Sequence, residues 1–253
     1  MGSNRTRNAA LSSIGPFCFS SKFLKTKQIV RMARIARLVV PGYPHHITQR
    51  GNRKQRTFFC EADYRRYLEL IGEAAVNAEL DIWAYCLMPN HVHFVIAPKH
   101  PDSLVRLFKE AHRRYTREIN RRNEWQGHLW QERFHSTVMD EPHLLAAVRY
   151  VELNPVIAGL CSRPEDWQWS SARAHMRVTD DKLLTNPPIL KMISNWTAYL
   201  NSPLGEERIT AIKKHSSSGQ PLGDEKFVAR LEGVTGRRFA PRKIGARSQL
   251  STG

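Results

Sequence analysis

The chain has 253 residues, four cysteines with no CxxC spacing, and a formal net charge of +16. That length allows one or two domains, the scattered cysteines exclude a disulfide framework and a Cys-based zinc finger, and no apolar run reaches the roughly 20 residues a membrane span needs. A charge of this sign and size attracts polyanions, nucleic acid first among them, and the cysteine usage suits a reducing cytoplasm. Six of the excess charges fall in residues 1–31 and five in 237–253, both free of Asp and Glu, so +5 remains for everything between.

Residues 1–31, rich in Ser, Asn and Arg and without periodicity, read as a disordered basic extension or as sequence upstream of a true start at Met32. An organelle-targeting segment has the same composition. Residues 44–50 (PHHITQR) read as a short strand ending in the turn-rich GNRKQ. Residues 61–78 read as a helix, with Tyr64, Tyr67, Leu68, Ile71 and Ala75 at helical spacing and Glu61 and Asp63 near its positive end. Two apolar runs, 80–88 and 92–97, joined by Pro89 and Asn90, predict an antiparallel hairpin.

Ser103 is placed to cap a helix over 104–122, whose stripe is Leu104, Leu107, Phe108, Ala111, Tyr115 and Ile119. Its other face carries Arg106, Lys109, Arg113, Arg117 and Arg121. A loop (EWQGHLWQERF) leads to a strand at 135–139 and a helix over 142–153 that is expected to stop before Asn154-Pro155. The order of elements implies an α+β domain, an antiparallel sheet with helices packed mainly on one face. Beyond residue 175 lie two modest helical patterns, near 205–215 and 222–234, and a basic tail. Accordingly 176–236 reads as a helical accessory region and 237–253 as a disordered end.

Residues i and i+2 of a strand share a face, so His91 and His93 point one way and Val92, Phe94 and Ile96 the other. Two neutral imidazoles side by side are half of a divalent-metal site, and oxygen ligands would complete it for Mg²⁺ or Mn²⁺ in phosphate chemistry. The pair reads equally well as two histidines on a half-exposed strand. Phosphodiester chemistry also needs a nucleophile, and tyrosine can form a covalent intermediate. Tyr115 lies on the apolar stripe of its helix and reads as core. Tyr150 lies off the side formed by Leu144, Leu145, Val148 and Val151, and Asn154 shares its face one turn on. Taken alone, that helix reads as a surface tyrosine followed by an Asn cap.

The ordered set MPNHVHF, GHLWQERF, RYVELNPVIAGL and PEDWQWSSARAH, running from about residue 39 to 175, resembles the HUH-type tyrosine transposases, in particular the REP-associated branch. The resemblance implies a ferredoxin-like nuclease core with His91 and His93 as metal ligands, Tyr150 as the nucleophile and Asn154 as the amide ligand one turn later. His143, on nearly the same helical face, is the alternative third ligand. It implies metal-dependent cleavage of single-stranded or hairpin DNA, a 5′-phosphotyrosine intermediate, and strand transfer in which a DNA 3′-OH reverses the attack. DNA would be held by the basic helix through Arg113 and Arg117, by Arg50 and Arg53 at the first turn, and by Arg133 with Trp130. For Trp130, base stacking and core packing weigh equally. A homodimer is compatible with the family, and the expected setting is the bacterial cytoplasm, at the nucleoid. Two other readings stay open: a host-adapted binder of hairpin DNA without turnover, and a hydrolase in which water attacks.

Overall fold

The structure, a computed structural model, describes residues 37–185, 188–203 and 205–239. The expectations for residues 1–31, for Met32 and for most of the basic tail lie outside the described residues. Four antiparallel strands form the sheet: β1 (His45–Arg50), β2 (Leu80–Met88), β3 (His91–Pro98) and β4 (His135–Val138), in the order β2-β3-β1-β4. The antiparallel α+β fold expected from the sequence is the fold adopted, with helices on both faces of the sheet instead of mainly one. β3 and β1 are the two inner strands, hydrogen-bonded on both sides, so whatever they carry is held at the most constrained place in the sheet.

One face of the sheet presents Ile47, Val92, Phe94, Ile96, Ile82 and Leu87, and the two long helices α1 (Glu61–Ala78) and α2 (Ser103–Asn123) cover it. The stripe read from the sequence of α2 is the stripe that is buried, and Tyr64, Tyr67, Leu70 and Ile71 of α1 meet it. Full burial of side chains of this size contributes about 1.5–3 kcal/mol each, which fixes the pleat of β3 and hence where its alternate residues point. The N-cap of α2 is Asp102, not Ser103. Ser103 sits in the first turn, accepting from the His100 amide and donating to the carbonyl of Glu79.

The other face is crossed by α3 (Glu141–Ile157), which packs on Ala84, Cys86, Met88 and Val95. Asp140 caps it by accepting from the His143 amide. The helix runs through Asn154-Pro155 instead of stopping there. Pro155 falls in its last turn, where the missing N–H removes a single ladder bond, and Ala158 closes the end on the Asn154 carbonyl. The shorter helices α4 (Ala172–His175), α5 (Ile189–Met192) and α6 (Trp196–Asn201), with α7 (Glu206–Ser218) and α8 (Glu225–Thr235), follow. Ile189, Trp196, Leu200 and Ile212 join the core beneath α3, so the region after residue 175 shares that core with the sheet. A short parallel bridge between Met139 and Leu222 ties the segment after α7 to the end of β4. No described helix is long and apolar enough to cross a membrane.

Candidate active site

On the α3 side, the strand faces change character along their length. Val95 of β3 is core, His93 is 5% exposed, and His91 is half-buried at the edge. Cross-strand pairing places Thr48 beside His93 and Arg50 beside His91. Gly51 follows β1, and a Cβ there would lie 2.3 Å from the Gln55 carbonyl oxygen, so the close backbone approach needs glycine. Its amide donates to Asn90 and the Gln131 amide donates to Arg50, which fastens the mouth of the site to the hairpin turn.

These residues line a cleft of about 420 Å³ whose walls include His46, Arg50, His91, His93 and Tyr150. The ring of Tyr150 meets the ring of His93 edge-on, centroids 5.7 Å apart, and that of His46 at 6.2 Å. Tyr150 is only 7% exposed. The sequence pattern put it off the apolar side of α3, but α6 and α7 pack around that helix and leave it little free surface. Burial raises its phenol above the usual range, and the Asn154 side chain and the charge of Arg50 work against that rise. Asn154 is buried behind Tyr150, donating through Nδ2 to the Tyr150 carbonyl at 3.3 Å, and is not among the residues lining the cleft.

Burial holds the cleft histidines uncharged. His46 and His91 are lowered to about 4, His91 also by Arg50, and His93 falls well below the usual range through burial and the charges of His91, His46 and Arg50. Nδ1 of His91 lies 2.6 Å from Asn90 Oδ1, and Nδ1 of His93 lies 3.0 Å from His46 Nε2. Both Nδ1 atoms are thus engaged, while no hydrogen bond among the described residues takes up either Nε2. That donor set fits a divalent metal with two imidazole ligands. No group of three or more His, Cys, Asp and Glu among the described residues could hold a metal alone, so its remaining positions fall to amide, phosphate or water oxygens.

The other expected site residues are distributed differently. His143 bonds Asp140 at 2.6 Å at the start of α3 and is not among the cleft-lining residues. Arg53 and Arg133 are exposed outside the cleft lining. Arg113 and Arg117 lie on α2, across the sheet from Tyr150, where they line a basic groove with Arg66, Arg114, Arg121 and Arg122. Trp130 is 7% exposed, stacked against His112 with centroids 4.4 Å apart and packed near Phe58, Tyr67 and Tyr115, the core side of the two readings the sequence left open. Its remaining exposed edge lines a shallow pocket with Arg113, Arg117 and His128. Sequence reasoning missed His46, Gln131, Glu132 and His135, and the cleft residues of α7, Lys213, Ser216 and Ser217. For His46 a signal existed, since PHHITQR alternates and puts His46, Thr48 and Arg50 on one face.

Residues 40–154 match the family model described as Transposase IS200 like. Over those residues the chain is similar to the IS200-like transposases. The likeness supports an HUH-type tyrosine transposase, with His91-Val92-His93 matching the HUH sequence pattern, and that family generally uses a divalent metal. Among solved structures, a REP-associated tyrosine transposase bound to a REP hairpin is 20% identical, with a TM-score of 0.50 over 62% of this chain and 99% of that one. A candidate transposase from Deinococcus radiodurans R1, also 20% identical, covers 47% of this chain and 96% of that one with a TM-score of 0.35. No curated protein matches the chain. The family match ends at Asn154, so α4 to α8 lie outside it.

Proposed function

We propose that this transposase cleaves single-stranded DNA beside a hairpin and transfers the cut strand, with Tyr150 as the nucleophile. The observation that carries this reading is the edge-on approach of Tyr150 to His93 in a cleft that Arg50 and Lys213 also line. The neighbour solved with a REP hairpin supports a hairpin substrate.

His91 and His93 would hold Mg²⁺ or Mn²⁺ through Nε2, with Asn154 Oδ1 as the amide donor. When bound, the ion supplies charge withdrawal from the scissile phosphate. Arg50 and Lys213 face the cleft as cations and orient the phosphodiester. Tyr150 gives up its phenolic proton and its oxygen bonds to phosphorus, while the bond from phosphorus to the 3′ oxygen breaks and that oxygen leaves as a 3′-OH after taking a proton. The 5′ phosphate stays on Tyr150, so attack by another 3′-OH restores the phosphodiester and the phenol, and no nucleotide cofactor is consumed. Asn154 and Arg50 favour the phenolate against the burial that disfavours it. Arg53, Arg133, Arg113 and Arg117 extend the positive surface along which the hairpin would lie. In this reading residues 39–175 are the catalytic domain and 176–236 an accessory region.

The test is incubation of the full chain with a hairpin oligonucleotide and Mn²⁺. A covalent adduct that is lost in Tyr150→Phe and kept in Tyr115→Phe supports the reading. Cleavage without an adduct, or tight binding with neither, overturns it in favour of a hydrolase or a binder.

A further inference from the structure

We propose that His46 and Ser216 are positioning residues of the metal site, and that α7, outside the family match, thereby sets how His93 presents its Nε2. The inference rests on the metal reading of His91 and His93 given above. His46 lies diagonally across from His93 on the inner strands, and the two ring planes are within 3° of parallel with centroids 5.3 Å apart. With His46 Nε2 and His93 Nδ1 3.0 Å apart, this is the geometry of two imidazoles meeting edge to edge through an in-plane N–H···N bond, not one ring lying over another. On its far side, His46 Nδ1 lies 2.9 Å from Ser216 Oγ on α7.

The proton count along this chain is decisive. A histidine that ligates through Nε2 must carry its proton on Nδ1, so His93 donates to His46 Nε2. His46 then carries its own proton on Nδ1 and donates to Ser216 Oγ. In the reverse order Ser216 donates to His46, His46 donates to His93, and the proton of neutral His93 sits on Nε2, where a metal would have to bind. Only the first order leaves a lone pair toward the cleft. His46 is not itself a ligand, since both of its nitrogens are engaged. His91 has the same arrangement in miniature, its Nδ1 held by Asn90 Oδ1 at 2.6 Å.

α7 is fastened so that Ser216 is held in place. The Thr137 hydroxyl of β4 donates to the His215 carbonyl at 3.0 Å, Ile212 is buried against the α3 core, and Leu222 donates to the Val138 carbonyl. The same turn of α7 brings Lys213 and Ser217 to the cleft wall, so the accessory helix both lines the site and holds its histidine chain.

The test is Mn²⁺ binding to the full chain without DNA, followed by the EPR signal of free Mn²⁺, with urea unfolding of each variant alongside. His46→Leu is expected to weaken binding by about 10–100-fold and His46→Gln, whose Oε1 can accept where Nε2 did, to restore it to within several-fold. Ser216→Ala, at a partly exposed position, should weaken binding by several-fold with little change in stability. Binding unchanged in His46→Leu or in Ser216→Ala overturns the inference, as does a His46→Gln variant as weak as His46→Leu. Absence of Mn²⁺ binding by the wild type, or normal binding by His93→Ala, overturns the metal reading itself, and the inference with it.

Discussion

Acidification from pH 7 to 5 should weaken this protein markedly, because several histidines are buried uncharged. His45, at the start of β1, has Nδ1 2.8 Å from the Tyr43 carbonyl oxygen and accepts from the Val40 amide at Nε2, a pair of bonds only the neutral ring can make. His112 of α2 contacts the Tyr67 hydroxyl at 2.9 Å and lies against Trp130. Burial lowers His45 to about 4, the Tyr43 carbonyl opposing it, and lowers His112 to about 3. Since both folded values are depressed, the stability they lend is complete above the unfolded value near 6.5 and is lost as pH falls from there toward 4 and 3. At pH 5 the unfolded ring is almost fully protonated and the folded one almost not, so each residue lowers stability by about 2 kcal/mol relative to pH 7, or ~4 kcal/mol together. That is a large share of the roughly 5–15 kcal/mol that holds a domain together. Urea unfolding followed by tryptophan fluorescence at pH 7, 6 and 5 measures it, and His112→Gln, which keeps an acceptor for Tyr67 but cannot titrate, should recover about 2 kcal/mol of the loss. A wild-type stability that is flat from pH 7 to 5, or a His112→Gln protein with the wild-type slope, would refute the reasoning.

Two further outcomes follow from the geometry. Glu152 of α3 is fully buried and accepts from Ser171 Oγ and Trp196 Nε1, with His175 Nδ1 2.6 Å away, so Glu152→Ala leaves these groups without their partner and should cost about 3–5 kcal/mol in urea unfolding, whereas disruption of an exposed ion pair such as Arg65–Glu61 should cost under ~1 kcal/mol. Because His91 is lowered to about 4 by burial and by Arg50, and His93 well below its usual range, protons do not compete for the site near neutrality. Mn²⁺ affinity measured by titration should therefore be nearly constant from pH 7.5 to 6, where a site of ordinary histidines would weaken.

What could be read from the sequence was local. The period-2 pattern of LMPNHVHFVIAP put His91 and His93 on one face, and the stripe of α2 placed Tyr115 in the core, because each signal needs only the residues beside it. What could not be read depended on pairing between distant segments. The adjacent histidines of PHHITQR alternate between faces, and only the register of β1 against β3 shows that His46 reaches His93 while His45 turns back to Tyr43 and Val40. Tyr150 looked exposed on a helical wheel because the helices that cover α3 come 50 residues later, in a stretch with weak periodicity. Trp130 offered no local clue at all, sitting in a Gly-containing loop whose burial depends on α1 and α2.

The arrangement also accounts for why an inner, largely buried strand carries two imidazoles. On the α1/α2 side β3 is anchored by Val92, Phe94 and Ile96, so the strand has no freedom to roll. On the other side its residues run from Val95, packed on α3, through His93 to His91 at the cleft, a gradient from dry to wet within one strand. Tyr150 stands where that gradient crosses from core to cleft, buried enough that its phenol is raised, yet edge-on to His93 at 5.7 Å. Moving the tyrosine one turn toward the N-terminus of α3 would replace Ala146, which is 3% exposed and packed in the apolar cluster, and moving it one turn the other way would displace Asn154. The position of Tyr150, the proposed nucleophile, is therefore set by the packing of α3 on the same strands whose pleat sets the histidines.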